Sequence, residues 1–223
     1  MSDSLPQRMP ELIEDRMRLL DLLARDSFRL GEFKLSSGGT SDYYIDCRTT
    51  TLSAEGALLT ARLFLDELRR MQPKPAAVGG LTLGADPIVV GVAIESARSA
   101  APLAGFLVRK SEKGHGTGRR IEGSVQKGTR VAIVDDVCTT AASTIQAIEA
   151  AWEAGLEVVG VRCLVEREEA GGRANLNNLW RAHRGQACPF QAIFGAREIR
   201  EAHKELLRGS NSIAEAPPLE QGP

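Results

Sequence analysis

The sequence has no apolar run long enough to cross a bilayer, no CxxC pair, no internal repeat and almost no net charge. Each absence removes a class of function. The longest apolar stretch lies near residues 87–94, whereas a spanning helix needs about 20 such residues. The stretch MSDSLPQRMPELIEDR carries no apolar signal core, so a soluble, cytoplasmic protein is expected. Cys47, Cys138, Cys163 and Cys188 are widely scattered, which speaks against a zinc site and fits reduced thiols. With 28 Lys and Arg against 29 Asp and Glu, the net charge of −1 argues against a broad nucleic-acid surface, and any basic site must be local. What remains is 223 residues, 43% of them hydrophobic, enough to bury one full core.

Residues 130–144, RVAIVDDVCTTAAST, carry the strongest signal. Val131, Ala132, Ile133 and Val134 lack polar alternation, which suits a parallel strand buried on both faces. Asp135 and Asp136 then stand at the carboxyl end of that strand, where ligands of open α/β sheets collect. Thr139, Thr140, Ser143 and Thr144 follow just where the free N–H groups of a helix start become available to an anion. Ile145, Ile148 and Trp152 at helical spacing, with Gly155 as a stop, complete a strand–loop–helix unit able to bind a sugar phosphate. The competing interpretation is an ordinary turn in which the acids only cap the helix. Cys138, inside this loop, is read as a small apolar filler, against the alternative of a thiolate stabilised by the helix start.

The rest of the chain alternates strands with helices. Residues 10–25 read as an amphipathic helix, followed by two short strands at 33–35 and 43–46 around a Ser-Ser-Gly-Gly turn. Ser53 can cap a helix carrying Leu58, Ala61, Leu65 and Leu68. Strands are expected at 76–78, 103–108, 131–135, 158–165 and 190–194, with helices at 84–97 and 197–207 among them. Such alternation implies a central parallel sheet flanked by helices. The expected organisation is an N-terminal helix and β element over 1–52, an α/β core over 53–208 and a disordered tail over 209–223.

One basic patch stands out. RKSEKGHGTGRR, residues 109–120, gathers Arg109, Lys110, Lys113, His115, Arg119 and Arg120 against the single acid Glu112 and is interrupted by three glycines. It reads as a flexible cationic lid for a concentrated anion, against the alternative of a solvated charge run.

The acid pair with its hydroxyl turn resembles the phosphoribosyl pyrophosphate (PRPP) motif of the type I phosphoribosyltransferases, with Ala141 and Ala142 where that family commonly has glycines. The lid resembles the catalytic loop of the orotate phosphoribosyltransferases, as does FKLSSGGTSDYYIDCR, residues 33–48, their N-terminal signature. Ser36 stands where many members have a PRPP-contacting lysine, and Lys34 is a candidate substitute. VGGLTLGADP, residues 78–87, resembles the pyrophosphate loop, with Thr82 and Leu83 where some relatives have Tyr-Lys. Arg167 occupies the place of an arginine facing the orotate carboxylate, although Glu166, Glu168 and Glu169 are equally available to pair with it.

The resemblance implies a type I phosphoribosyltransferase fold with a small N-terminal hood, and transfer of a phosphoribosyl group from PRPP to orotate in pyrimidine biosynthesis. It assigns catalysis to Lys113, His115, Asp135 and Asp136. PRPP contacts would come from Thr82, Arg109, Lys110, Lys113, His115, Asp135, Asp136, Val137, Cys138, Thr139, Thr140, Ala141, Ala142 and Ser143. Orotate contacts would come from Tyr44, Ile45, Thr139 and Arg167. Mg²⁺ is expected on the diphosphate and ribose hydroxyls, through PRPP and water near Asp135 and Asp136 and without direct protein ligands. A homodimer with lids shared across subunits is expected too. Two other functions compete: a purine phosphoribosyltransferase, which needs no arginine for a base carboxylate, and a non-catalytic PRPP-sensing regulator, whose nucleic-acid surface this chain does not display.

Overall fold

A computed structural model describes residues 5–34, 39–110 and 120–214. Helix α1 (Leu5–Leu22) passes through a π-helical turn, Leu23–Ser27, into an antiparallel hairpin of β1 (Phe28–Lys34) and β2 (Thr40–Ile45). Short α2 (Arg48–Thr51) and α3 (Ala54–Arg70) follow. The alternating part comprises β3 (Ala77–Leu81), α4 (Asp86–Ser96), β4 (Ala104–Val108), β5 (Ile121–Glu122), β6 (Arg130–Cys138), α5 (Ala142–Glu153) and β7 (Glu157–Glu166). A 3-10 turn, Glu168–Ala170, then leads to α6 (Gly172–Arg184), β8 (Phe190–Gly195) and α7 (Ala196–Ala214). The main sheet has the order β5-β4-β3-β6-β7-β8, parallel throughout except for β5.

Strand alternation divides the interior into two cores. Ala132 and Val134 of β6 join Val78, α3, α4, the N-terminal helix and the hairpin, so the N-terminal element shares its core with the sheet. Val131 and Ile133 point the other way, to Ala147, Ile148 and Ala151 of α5 and Leu176 and Trp180 of α6. The unbroken apolar run of β6 is therefore used on both sides, with Val131 to Val134 fully buried. Ser53 caps α3 as its position suggests, its hydroxyl accepting from Gly56 N at 3.1 Å.

Several boundaries differ from expectation. The acids do not end their strand, because β6 runs on to Cys138 beside β7. Pairing with β3 stops at Ile133, however, so beyond that point the β3 side of β6 is open. Gly79 and Gly80 lie inside β3, where a Cβ would meet the Phe106 ring at 2.5 Å and the Val134 carbonyl oxygen at 2.1 Å. The first helix starts at Leu5 and keeps Pro10 inside it. Helix α6 is invisible to periodicity, since GRANLNNLWRAHR opens on glycine and offers only Leu176, Leu179 and Trp180 as large apolar anchors. The tail expected to lose structure from Gly209 instead continues α7 to Ala214. One helix-interior glycine costs only about 1 kcal/mol, and no proline occurs there before Pro217. No helix among the described residues is long and apolar enough to cross a membrane.

Candidate active site

Because β6 alternates, its two acids face opposite sides. Asp135 points with Ile133 toward α5 and is 3% exposed. Its Oδ2 accepts from Ser143 Oγ at 2.8 Å and Thr144 Oγ1 at 2.6 Å, and its Oδ1 from Asp136 N at 3.1 Å. Burial, then the charge of Asp136, pushes its carboxyl up to about 6. Asp136 turns to the open side, half-buried beneath the β3–α4 loop, with Oδ1 accepting from Val137 N at 2.9 Å. A Cβ on Gly84 would stand 2.3 Å from that same oxygen. Burial raises this carboxyl too.

Past Cys138 the chain forms the candidate anion loop. Among the described residues the N–H groups of Thr139, Thr140 and Ala141 have no acceptor, while the loop's carbonyls are held from behind. Arg167 N donates to Cys138 O at 2.9 Å and Asn175 Nδ2 to Thr140 O at 3.1 Å. A peptide's N–H points opposite to its C=O, so these bonds turn the Thr139 amide away from the end of β7 and the Ala141 amide away from Asn175 of α6. Ala141 carries the left-handed turn, φ 62° and ψ 18°, and Ala142 is already helical. Strain thus falls on one alanine of the two. Gly172, at the start of α6, packs so tightly that a Cβ would lie 2.4 Å from Thr139 O and 2.7 Å from Cys138 Sγ. Cys138 itself is 1% exposed within the apolar cluster.

The β3–α4 loop forms another wall. The Thr82 hydroxyl, a candidate donor to ligand, instead donates to Asp86 Oδ2 at 2.7 Å, because Asp86 begins α4 directly above it. Asp86 Oδ1 is buried without a partner, and the Thr82–Leu83 peptide is cis. A cleft of about 650 Å³ opens beside this loop between Leu83, Asp86 and Pro87 on one side and Asp46, Arg48 and Leu52 on the other. Arg109 N donates to Arg120 O at 2.8 Å, closing the base of the basic segment, and its side chain lies 3.4 Å from Glu122. Lys110 is exposed. Lys113 and His115, like Ser36, lie outside the described residues.

The hairpin forms the remaining side. In β2 the side chains of Ser41, Tyr43 and Ile45 turn inward while Tyr44 is 43% exposed, its ring 5.4 Å from that of Phe33. Ile45 is a core residue, so its side chain does not line a pocket, and only its backbone remains for a ligand. Arg167, 8% exposed, is neither a surface residue nor an open fork. Its Nε donates to Tyr43 Oη at 3.0 Å, its Nη2 to Ser41 Oγ at 3.0 Å, and both approach Glu169 Oε1 at 3.3 Å. Tyr43 also donates to Glu169 in a short contact. Sequence reading passed over Ser41, Tyr43 as a polar partner, Gly172 and Asn175, and of the three glutamates it offered to Arg167 the structure pairs it with Glu169. Alternation along β2 was the one available signal, since it puts Ser41 and Tyr43 on the inner face.

A parallel sheet whose central strand carries a split acid pair into a hydroxyl-rich anion loop is the mark of a type I phosphoribosyltransferase fold. No family model matches the chain. It is 44% identical over 188 residues to orotate phosphoribosyltransferase of Thermosynechococcus vestitus, covering 83% of this chain and 94% of that one. Identity to the Aquifex aeolicus enzyme of the same name is 39% over 191 residues, 84% and 99% of the two chains. Mycobacterium tuberculosis orotate phosphoribosyltransferase in complex with PRPP superposes with a TM-score of 0.65 at 32% identity, over 83% of this chain and 98% of that one. The chain belongs to the orotate phosphoribosyltransferase family.

Proposed function

We infer that this chain transfers the 5-phosphoribosyl group of PRPP to orotate, giving orotidine 5′-monophosphate and diphosphate in pyrimidine biosynthesis. The observation that carries this reading is the anion loop itself: three unengaged backbone N–H groups directly behind two carboxylates, in a chain of this family. The amides of Thr139 to Ala141, with Ser143, hold the 5′-phosphate, as a helix start holds an anion. Asp136, on the open side, meets the ribose hydroxyls, and Asp135 supports it from behind. Lys113 and His115, with Lys110, close over the diphosphate and stabilise its charge as it departs. Val137 and Ala142 contribute backbone only.

Among the described residues no three His, Cys, Asp or Glu side chains are grouped to ligate a metal. Asp136, an oxygen donor set away from α5, suits a divalent cation that would be carried by the diphosphate and its own water. Mg²⁺ held there would supply positive charge against the leaving diphosphate. On the base side, Arg167 Nη1 has no hydrogen-bond partner among the described residues and is available to orotate, with Tyr44 and the Ile45 backbone as the remaining orotate contacts of this reading.

The protein acts in the cytoplasm as a homodimer whose lid serves the neighbouring subunit. Four exposed apolar side chains support a dimer that would cover them: Leu52 and Leu83, which line the cleft, and Val90 and Ile94, one turn apart on α4. The test is PRPP-dependent loss of orotate absorbance with Mg²⁺, run beside adenine, hypoxanthine and uracil. Turnover with orotate alone is expected, and turnover with a purine instead would overturn the reading.

A further inference from the structure

The Arg167 side chain is held by an arrangement that substrate binding alone does not require. Its three partners come from two separate pieces of chain: Ser41 and Tyr43 from the hairpin, and Glu169 from the turn after β7. The guanidinium carbon sits 4.4 Å from the centroid of the Tyr43 ring, which itself stacks on Phe28 at 5.3 Å and 16°. The Tyr43 hydroxyl accepts from Arg167 and donates to Glu169, while Ser41 donates to the Tyr43 carbonyl at 2.8 Å and so has a lone pair left for Nη2. Burial and the neighbouring Glu169 push the Tyr43 phenol up to about 12, so it remains a donor over the working pH range. An arginine side chain is otherwise among the most costly to immobilise, and a buried guanidinium needs an anion. Both requirements are met here before any substrate arrives, and the one amino group without a protein partner among the described residues is Nη1.

We propose that Tyr43 and Glu169 are positioning residues that fix the guanidinium plane of Arg167, and through it the use of orotate. This rests on the reading that Arg167 meets the base. Glu169 supplies the compensating charge and Tyr43 supplies the angle, so the pair tunes pyrimidine recognition from one layer behind the ligand.

The test uses the full-length enzyme and compares Tyr43→Phe, Glu169→Gln and Arg167→Ala singly and in pairs, with KM for orotate and for PRPP, kcat and thermal midpoint measured for each. Each of the first two variants should lower kcat/KM for orotate about three- to thirtyfold, less than the roughly ten- to hundredfold of a charged hydrogen bond made to the ligand itself, because the loss reaches orotate only through Arg167. KM for PRPP should stay within about twofold in both, since a general weakening of the fold would move it as well. In the Arg167→Ala background neither substitution should have any further effect on orotate, because the group they position is gone. Losses in orotate use that persist at full size in that background would overturn the proposal, as would Tyr43→Phe and Glu169→Gln enzymes with unaltered orotate kinetics. If Arg167→Ala itself leaves orotate use intact, it is the assignment of Arg167 to the base that fails, a distinct result.

Discussion

The Thr144 hydroxyl donates to Asp135 Oδ2 at 2.6 Å, tying the first of the two acids to α5 while the second, Asp136, faces the open side of β6. Two neighbouring carboxylates of identical chemistry therefore have different duties. Asp135 holds strand and helix together, and Asp136 is the acid left for the ribose contact proposed above.

A pH dependence follows from Asp135. Its folded carboxyl titrates near 6, above the ordinary value of 3.8, so the stability it contributes is present below about 4 and is lost as pH rises through about 6. Asp135→Asn removes the buried charge; with its amide oxygen kept toward Asp136 N, the Ser143 and Thr144 hydroxyls can turn to accept from the amide NH2. At pH 8 this variant should be more stable than the parent by roughly 2 to 3 kcal/mol, and the gap should close toward pH 4.5. Denaturant unfolding at the two pH values measures it. A variant less stable at pH 8 would show that the charge is compensated in place.

Activity should move the opposite way. Asp135→Asn with Asp136→Asn should nearly abolish turnover, each lost charge-assisted hydrogen bond being worth about 1.5–3 kcal/mol or roughly ten- to a hundredfold in rate. Steady-state turnover of folded double variant settles the point, and retained activity would remove the acids from the mechanism.

How much of this was legible in the sequence differs from residue to residue. The run from Val131 to Val134 marks a strand buried on both sides, because nothing in it is polar enough to face water. That Asp135 and Asp136 point in opposite directions follows from the same alternation. What no local pattern encodes is partnership across the fold. Arg167 is 124 positions from Tyr43, and neither residue signals the other until the hairpin is laid against the end of β7. Helix α6 was missed for the related reason that it is anchored by close backbone approach at Gly172 as much as by apolar periodicity.

That approach can be tested directly. Gly172→Ala would put a methyl group 2.4 Å from the Thr139 carbonyl oxygen, and both atoms belong to ordered backbone, so the anion loop must shift. KM for PRPP should rise about tenfold or more, because loops that hold an anion by backbone N–H groups tolerate little displacement. Asn175→Ala, which removes one hydrogen bond to Thr140 O from an exposed side chain, should raise it only about two- to fivefold. Isothermal titration with PRPP and Mg²⁺ compares the two, and equal, unchanged affinities would show that α6 does not support the loop.

A lid shared across subunits would have its own signature. Lys113→Ala should lower kcat far more than it weakens orotate binding, since a lid lysine engages the diphosphate chiefly as it leaves. Mixed with the Asp135→Asn, Asp136→Asn chain, it should regain part of its activity in hybrid dimers, through the one site that combines an intact lid with intact acids. Tagged hybrids purified and assayed with no recovery would place each lid over its own subunit.

Ala141 offers the last test, because three effects of similar size meet there. A left-handed backbone costs alanine about 1–2 kcal/mol, which glycine would not incur. Against that, Ala141→Gly gives up a buried methyl worth about 0.8 kcal/mol and adds roughly 0.4–1 kcal/mol of unfolded-chain freedom. The sum lies within about 1 kcal/mol of zero, so the glycine variant should melt close to the parent. Valine at the same position has no such balance, since a β-branched side chain is excluded from φ 62° and the turn would have to open. Ala141→Val should therefore lower the thermal midpoint and weaken PRPP binding together, while Ala142→Val, one residue on at an exposed helical position, should change either only slightly. Equal losses for the two valine variants would mean that the left-handed turn is not what shapes the loop, and that bulk anywhere between Thr140 and Ser143 is what the anion site rejects.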